Sequence, residues 1–545
     1  MSPHSRRSFL ALSGATLLGL AGCGGVQRLN TSGPPRKGGT LRFAVATQAD
    51  SWDPHVAATD ITAVLLRPVF DSLVSYGADG TFRPWLATGW TVSPDGLAYT
   101  FRLRGDVTFS DGEPFNAAAV RDNLAHILDP ATKSGFPLAL LGPLAKVDVT
   151  GEHTVVLRMS EPYSSLLYAL STTYLGFISP RSLREHGKEL ASGRFLAGTG
   201  PFTLESVVPN QEAVFRRRPG YRWPAPGSPN PGESYVDGYR VSFLPEDQTR
   251  VGAVGSGQVD VADEMPSARL STLRKQAGMR IEQNPVPGSP YSYYLNVSRP
   301  PFNDPAVRRA VQASIDLDAI VKGVFRGEYQ RAWSVLTPKT PGYAADLAGT
   351  WGYSPETAAR LLDGAGYSQR DGDGYRVRGG VRLRAEFPFA ADYSTADRRT
   401  FDVALQDSLR KAGIEVVLTA VDSAEFASRV IAGEYDVKSV AWASADPAVL
   451  RELFHSKRFL AEGGSNQGRV RDPQLDAWLD AARATLDPHE QSRLYGQVQH
   501  RVIEQAYAIP AYTAPRSLAL AERVRGVRYE VSGTPALAEL WLADS

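Results

Sequence analysis

The spacing of apolar residues changes along the chain, and each spacing predicts a different element. Apolar and polar residues alternate over residues 40–46, which predicts a β-strand, and residues 99–104 continue in the same style. After a turn over residues 107–115 the apolar side chains recur instead at helical spacing, which places Val120, Leu124, Ile127 and Leu128 on one face of a helix. Strand-like and helix-like segments mix along the whole chain. The pattern therefore predicts an α/β or α+β fold.

Further helices are predicted from their first residues. Each begins with an acidic or hydroxyl residue followed by proline. The side-chain oxygen accepts a hydrogen bond from a free backbone N–H group, and proline loses no bond there because its nitrogen carries no hydrogen. These pairs are Asp304-Pro305, Ser354-Pro355, Asp446-Pro447 and Asp472-Pro473.

The first residues are typical of an export signal. Arg6 and Arg7 precede an uncharged, largely apolar run over residues 8–22, as in a twin-arginine signal peptide. That run is shorter than the roughly 20 residues that a membrane-spanning helix needs. Cys23, the only cysteine, follows it. The residues before Cys23 resemble the lipobox of bacterial lipoproteins, so we expect cleavage after residue 22 and a diacylglycerol on the Cys23 thiol. The alternative is a plain signal peptide with an incidental cysteine.

The composition excludes several classes of protein. A chain of 545 residues is too long for one compact core, so two or more lobes are expected. The 59 basic and 58 acidic residues give a net charge of +1, which provides no field to attract nucleic acid. Residues 23–38 are polar and contain glycine and proline, which predicts a flexible tether.

A series of short motifs, in the same order along the chain, is similar to one protein family. They lie at residues 107–128, 198–202 with 218–223, 256–260, 294–310, 314–316, 354–367 and 475–510. The chain thereby resembles the extracytoplasmic solute-binding proteins of ABC importers, specifically the large peptide- and nickel-binding family 5.

The resemblance implies an α/β fold of two lobes, the periplasmic-binding-protein-like type II (cluster C) arrangement, with an extra subdomain in lobe I and ligand in the cleft. We expect lobe I at residues 39–287, lobe II at residues 288–510, and a return to lobe I over residues 511–545. The implied function is capture of a peptide-like solute for a membrane permease. The expected protein is an extracytoplasmic, lipid-anchored or periplasmic monomer without catalytic activity or cofactor, whose partners are ABC permease and ATPase subunits.

The resemblance also identifies candidate ligand residues. In dipeptide binders of the family, a Trp-x-x-Asp segment holds the peptide ammonium; here Trp442 matches, but Ala445 stands where the aspartate is expected. Asp446 follows, and two roles stay open for it: capping the next helix or contacting ligand. In the family's Arg-Pro-Tyr segment, Tyr393 matches and Ala391 replaces the arginine that holds the carboxylate. A buried charge needs a partner, so we expect a longer peptide or a non-peptide solute rather than a small dipeptide.

Four other residues are candidates for the cleft. Trp52, Tyr291, Tyr293 and Asn296 are aromatic or amide residues, and the two tyrosines lie where the chain is expected to cross between lobes. Aromatic side chains at that place are suited to lining a ligand site. The alternative is that they pack the strands of the hinge.

Other functions remain open to different degrees. The eight histidines are scattered without the spacing of a metal site, so no metal is expected. No Gly-x-Ser-x-Gly motif is present, which disfavours a secreted hydrolase. A receptor for a sugar, an opine or a metal chelate, or a signalling receptor, would have the same overall sequence features.

Overall fold

The computed structural model describes residues 34–77, 79–391, 394–459 and 464–543. The predicted signal with Arg6 and Arg7, the lipidation residue Cys23, and Tyr393 lie outside the described residues. Within the described ranges, no helix combines the length and apolarity needed to cross a membrane.

The helices begin largely where the sequence predicts. The helix expected to carry Val120 to Leu128 is confirmed, and so are the starts at Pro305, Pro355 and Pro473. Asp304 accepts a hydrogen bond from the Ala306 N–H group at 2.8 Å. The α-helices are α1 (Asp60–Leu66), α2 (Ala117–Leu128), α3 (Phe136–Leu141), α4 (Leu166–Ala169), α5 (Pro180–His186), α6 (Asp247–Gly255), α7 (Ser267–Leu273), α8 (Pro305–Ser314), α9 (Leu317–Phe325), α10 (Pro355–Gly364), α11 (Ala396–Ala412), α12 (Ser423–Ala432), α13 (Val449–Phe454), α14 (Pro473–Ala484) and α15 (Pro488–Glu504).

The strands predicted at residues 40–46 and 99–104 are confirmed as β1 and β5, shifted by one residue at their ends. The strands are β1 (Thr40–Val45), β2 (Val74–Tyr76), β3 (Phe82–Pro84), β4 (Ala87–Val92), β5 (Ala98–Leu103), β6 (Leu144–Gly151), β7 (Thr154–Met159), β8 (Phe202–Val208), β9 (Glu212–Arg217), β10 (Gly238–Phe243), β11 (Val261–Ala262), β12 (Met279–Asn284), β13 (Gly288–Leu295), β14 (Gln330–Arg331), β15 (Gln369–Arg370), β16 (Arg376–Arg378), β17 (Val381–Arg382), β18 (Arg384–Ala390), β19 (Glu415–Val421), β20 (Val437–Ala443), β21 (Ala508–Thr513), β22 (Arg516–Ala521), β23 (Val524–Arg525) and β24 (Trp541–Leu542).

Three sheets of four or more strands contain 15 of the 24 strands described. Sheet A is seven-stranded, in the order β12-β22-β11-β1-β10-β9-β8, and β1 runs parallel to both β10 and β11. Sheet B has the order β14-β21-β13-β20. Sheet C, in the order β4-β5-β7-β6, packs with α2 over a buried core of its own and forms an extra subdomain.

The chain passes between sheets A and B twice. The first crossing joins β12 to β13 through residues 285–287, and the second joins β21 to β22 through residues 514 and 515. Strand β21 runs through positions 510 and 511 without a break. The lobe boundaries proposed at 287/288 and 510/511 remain predictions.

The backbone of the Gly-Thr-Gly motif at residues 198–200 packs closely against the backbone of residues 68 and 69. A Cβ atom on Gly198 would lie 2.1 Å from the Val69 carbonyl oxygen, and one on Gly200 would lie 2.5 Å from the Pro68 carbonyl oxygen. Only glycine therefore fits at either position. The Thr199 carbonyl between them accepts hydrogen bonds, both at 3.0 Å, from the second half of the same motif, Arg218 Nη1 and Trp223 Nε1.

A buried carboxylate completes this contact. Asp71 is 1% exposed and accepts hydrogen bonds from the Tyr221 hydroxyl at 3.1 Å and from Trp223 Nε1 at 3.0 Å. Burial raises the pKa of Asp71 to about 7, and the Tyr221 hydrogen bond only partly opposes that rise. The motif thus holds distant backbone segments together, and the Asp71 carboxyl that completes it has a pKa near neutral pH.

Candidate ligand-binding cleft

A cleft with a volume of about 2110 Å³ is lined by residues from both sheet A and sheet B. Ala46 and Thr47, which follow β1, form part of one wall, and Trp442 and Tyr512 of sheet B form part of the other. Pockets for small molecules usually measure about 300–1,000 Å³. The cleft therefore has room for a solute larger than most small metabolites.

Aromatic side chains meet across the cleft. The ring of Phe136, in α3, lies 4.8 Å from the ring of Tyr174 at right angles and 6.2 Å from the ring of Trp442. Trp442 lies near the end of β20 and is half-buried. Such faces bind apolar or planar groups of a solute. Trp442 thus lines the cleft, and its contact with ligand remains a prediction.

The position of Asp446 allows both roles left open for it, capping the next helix and contacting ligand. Its Oδ1 atom accepts a hydrogen bond from the Ala448 N–H group at 2.8 Å, which holds the turn before α13. The helix begins at Val449, two residues later than the Asp-Pro pair predicts. Asp446 also lines the cleft, and burial raises its pKa while the Ser165 hydroxyl opposes the rise. Its contact with ligand remains a prediction.

Charged groups of both signs line the cleft. Arg516 Nε, in β22, donates to the fully buried Asp263 carboxylate at 3.1 and 2.9 Å. Asp60 faces the same cleft; burial raises its pKa, and the positive charge of Arg516 opposes that rise. On the other wall, the Arg398 guanidinium lies 5.3 Å from the centre of the Tyr291 ring. The cleft therefore offers partners to both ammonium and carboxylate groups.

The four other predicted cleft residues divide into one that lines the cleft and three that do not. Tyr291 does so, with its hydroxyl 2.7 Å from Ser439 Oγ. Tyr293 lies two residues further along β13, away from the strand end that borders the cleft, and donates to buried Asp402 at 2.6 Å. Asn296 is fully buried and donates to two backbone carbonyls. Trp52 packs against Phe215 in the core of sheet A. Tyr293, Asn296 and Trp52 therefore lie in the core and not at the cleft position that was predicted for them.

Hydrogen bonds bridge the two sides of the cleft. Ser267, in α7, donates from its backbone N–H and its hydroxyl to Asp397 Oδ2 at 3.2 and 2.7 Å. The Ala445 N–H group donates to the Tyr168 hydroxyl at 2.9 Å. Sequence reasoning missed Phe136, Tyr168, Arg398 and Arg516 because no local motif marks them. These four residues share only their position beside the cleft, and that position depends on how the sheets assemble.

The model of the middle region of bacterial extracellular solute-binding proteins, family 5, matches residues 81–459 of the chain. The chain belongs to this family. Family 5 proteins are extracytoplasmic solute receptors of ABC importers, and the class is non-catalytic. The predicted class of function is thereby confirmed.

Relatives in family 5 are similar over most of their length. The glutathione-binding protein GsiB of Salmonella choleraesuis is 29% identical over 476 residues, which cover 86% of this chain and 87% of that protein. The probable D,D-dipeptide-binding periplasmic protein DdpA of Escherichia coli is 28% identical over 500 residues, or 89% and 90% of the two chains.

Solved structures of family 5 proteins share the fold. NikA from Brucella suis in complex with Fe(III)-EDTA superposes with a TM-score of 0.81 at 26% identity, over 93% of this chain and 100% of NikA. The oligopeptide-binding protein AppA from Bacillus subtilis, solved with a nonapeptide, gives a TM-score of 0.78 at 19% identity, over 94% and 100% of the chains. The predicted two-lobe fold is thereby confirmed.

Proposed function

We propose that this chain is the receptor of an ABC importer for a peptide-like solute larger than a dipeptide, tethered to the outer face of the membrane through lipid on Cys23. The observation that carries the proposal is the cleft. Its volume of about 2110 Å³ is about twice the upper end of the usual range for small-molecule pockets. Its walls supply aromatic faces and charges of both signs.

Two alanines support the restriction on ligand size. Ala391 and Ala445 stand where the family's dipeptide binders carry the arginine and aspartate for the two peptide termini. The backbone of Ala445 is already engaged by the Tyr168 hydroxyl. A dipeptide would have neither terminal charge matched by these positions, and burying an unmatched charge is costly. GsiB is named for glutathione and DdpA for a D,D-dipeptide, which supports a peptide-like solute, while the restriction on size rests on the two alanines.

Closure of the two lobes couples binding to delivery. Contacts to both walls form only when the cleft is closed, so solute shifts the population toward the closed state. The permease then contacts the receptor in its closed conformation, which indicates that solute is bound. A lipid tether keeps this receptor at high local concentration beside the permease and its ATPase. The chain acts in this scheme as a monomer and without catalysis.

An anionic chelate is the second candidate solute. The similarity to NikA, which was solved with Fe(III)-EDTA, favours it. Arg398 and Arg516 line the cleft and would attract carboxylates of such a complex. Arg516 is already paired with Asp263, which reduces the positive charge that it offers to a chelate.

The proposal is tested by mass spectrometry of the full chain, purified from the membrane fraction of an export-competent bacterium. We expect a mature N-terminus at Cys23 that carries diacylglycerol, and a peptide released from the cleft on denaturation. The Cys23→Ala variant serves as control and should keep the peptide but lose the lipid. Release of a metal chelate or a sugar instead of a peptide would overturn the ligand proposal. An unlipidated wild-type N-terminus would overturn the anchor.

Closure should depend on the hydrogen bonds between Ser267 and Asp397. In Asp397→Ala both are lost, and hydrogen bonds to a charged group contribute about 1.5–3 kcal/mol. We expect the affinity for the solute found above to fall about 10- to 100-fold, because the closed state loses this stabilisation. Calorimetry measures the affinity, and small-angle X-ray scattering measures the open fraction.

The matched control for this experiment lies on the same helix. Asp407, in α11, is exposed and pairs with Lys411 at 2.8 Å. Asp407→Ala should leave affinity and scattering unchanged. Equal affinities for Asp397→Ala and the wild type would mean that the bridge does not contribute to closure.

A further inference from the structure

Three side chains capable of binding metal converge outside the cleft. Asp53 and His55 lie between β1 and α1, and His126 lies in the last turn of α2. One ligand atom from each lies within 4.8 Å of the others. None of the three lines the cleft. The sequence gives no sign of this cluster because Asp53 and His126 are 73 positions apart.

His55 presents a free ring nitrogen to this cluster. Its ring is fully buried, and Nε2 lies 2.8 Å from the Gly176 carbonyl oxygen. A carbonyl only accepts, so Nε2 carries the hydrogen and Nδ1 keeps a lone pair. Nδ1 is buried without any hydrogen-bond partner. A histidine that donates one ring N–H to a backbone carbonyl and leaves the other nitrogen bare has the arrangement of a metal ligand.

His126 and Asp53 complete the donor set. Asp53 is 2% exposed, and its Oδ2 atom lies 3.4 Å from His126 Nε2. The other carboxylate oxygen accepts the His55 backbone N–H at 2.9 Å, which fixes the side chain. On the far side of its ring, His126 Nδ1 lies 3.2 Å from the Thr132 hydroxyl. Donation from Nδ1 to Thr132 leaves Nε2 available to a metal.

The dimensions suit a small divalent ion. Zinc bonds of about 2.0–2.1 Å to nitrogen and oxygen in a tetrahedron place neighbouring donor atoms about 3.3 Å apart. The Asp53–His126 separation of 3.4 Å already has this value. All three donor atoms lie within 4.8 Å of one another, so the ion requires the donors to approach by about 1.5 Å at most. The His126 side chain is 19% exposed and supplies the route of entry.

We propose that Asp53 Oδ2, His55 Nδ1 and His126 Nε2 bind one Zn²⁺ ion, with water as a fourth ligand. The donors are two imidazoles and one carboxylate, a set that favours zinc over magnesium or calcium. The ion would fasten the segment before α1 to α2 of the extra subdomain. This site is independent of the solute that the cleft binds.

The test is equilibrium dialysis of the full chain against micromolar Zn²⁺ at pH 7.5, with zinc measured by plasma mass spectrometry. We expect one equivalent in the wild type, none in His126→Ala, and one in the control His500→Ala, which removes an exposed histidine paired with Asp346 at 2.9 Å. Zinc should also raise the melting temperature of the wild type and of His500→Ala, but not that of His126→Ala.

A second measurement uses only the wild-type protein and so does not depend on whether a variant folds. X-ray absorption at the zinc edge should give nitrogen and oxygen neighbours, including two imidazoles, and no sulfur. A wild type that retains no zinc, a His126→Ala variant that retains a full equivalent, or a sulfur ligand would each overturn the proposal.

Discussion

Replacing Arg250 by alanine is expected to lower the free energy of unfolding by about 3–5 kcal/mol, the range for a buried charged group removed from its partners. Arg250, in α6, is 2% exposed. Its guanidinium donates to the turn after β10 and to the turn after β11 and so holds the two turns together, and its loss leaves these acceptors without their donor. The acceptors are the carbonyls of Leu244, Pro245, Asp263 and Glu264 and the carboxylate of Asp247.

A matched arginine shows what charge alone contributes. Arg240, in β10, is exposed and pairs with Glu212 at 2.6 Å. Exposed ion pairs contribute about 0–1 kcal/mol. The free energy of unfolding of Arg240→Ala should therefore lie within about 1 kcal/mol of the wild-type value. Urea unfolding followed by circular dichroism measures both variants. Similar losses in the two would refute the structural role given to Arg250.

The second large effect concerns pH. The pKa of Asp71 is raised to about 7 in the folded protein, whereas an unfolded aspartate titrates near 4. The folded state therefore holds a proton that the unfolded state releases between these values. The stabilisation is fully present below about pH 4 and is lost as pH rises through about 7. Between pH 5 and pH 8 the wild type should lose about 3 kcal/mol from this group.

Asp71→Asn isolates this contribution. The variant cannot ionise, and the Tyr221 hydroxyl can accept from the new amide because it already has the Trp223 carbonyl, 3.2 Å away, as an acceptor. Its stability relative to the wild type should improve by about 3 kcal/mol between pH 5 and pH 8. Asp407→Asn is the control, since the neighbouring Lys411 and Arg410 hold the pKa of that exposed carboxyl below its usual range. A constant difference for Asp71→Asn would contradict the assigned titration.

Local signals in the sequence were sufficient for elements and motifs. Asp304-Pro305 starts a helix because the cap and the proline act within one turn, whatever the rest of the chain does. Gly198 and Gly200 belong to one of the short motifs that carry the family resemblance, yet the reason for glycine is a carbonyl of a distant segment. The motif was therefore readable from the sequence, while its physical cause was not.

The cleft was predicted less completely, for a reason of geometry. Tyr291 and Tyr293 have the same character in the sequence, but only Tyr291 lies at the end of β13 that borders the cleft. Arg516 and Asp60 share a wall although they lie far apart in the chain. Which residue reaches a cleft depends on where strands end after the sheets have assembled. That information is spread over the whole chain.

The double crossing between sheets A and B fixes the order in which the protein can be completed during synthesis. Strand β22 lies between β12 and β11 and pairs with both. Until residues 516–521 leave the ribosome, β11 and β12 each have an open edge, and open edges invite pairing with other chains. Sheet B acquires its last strand, β21, just before this point. Sheet A, although it begins the folded chain, is therefore the last to close, and a molecule truncated before β22 should aggregate rather than fold.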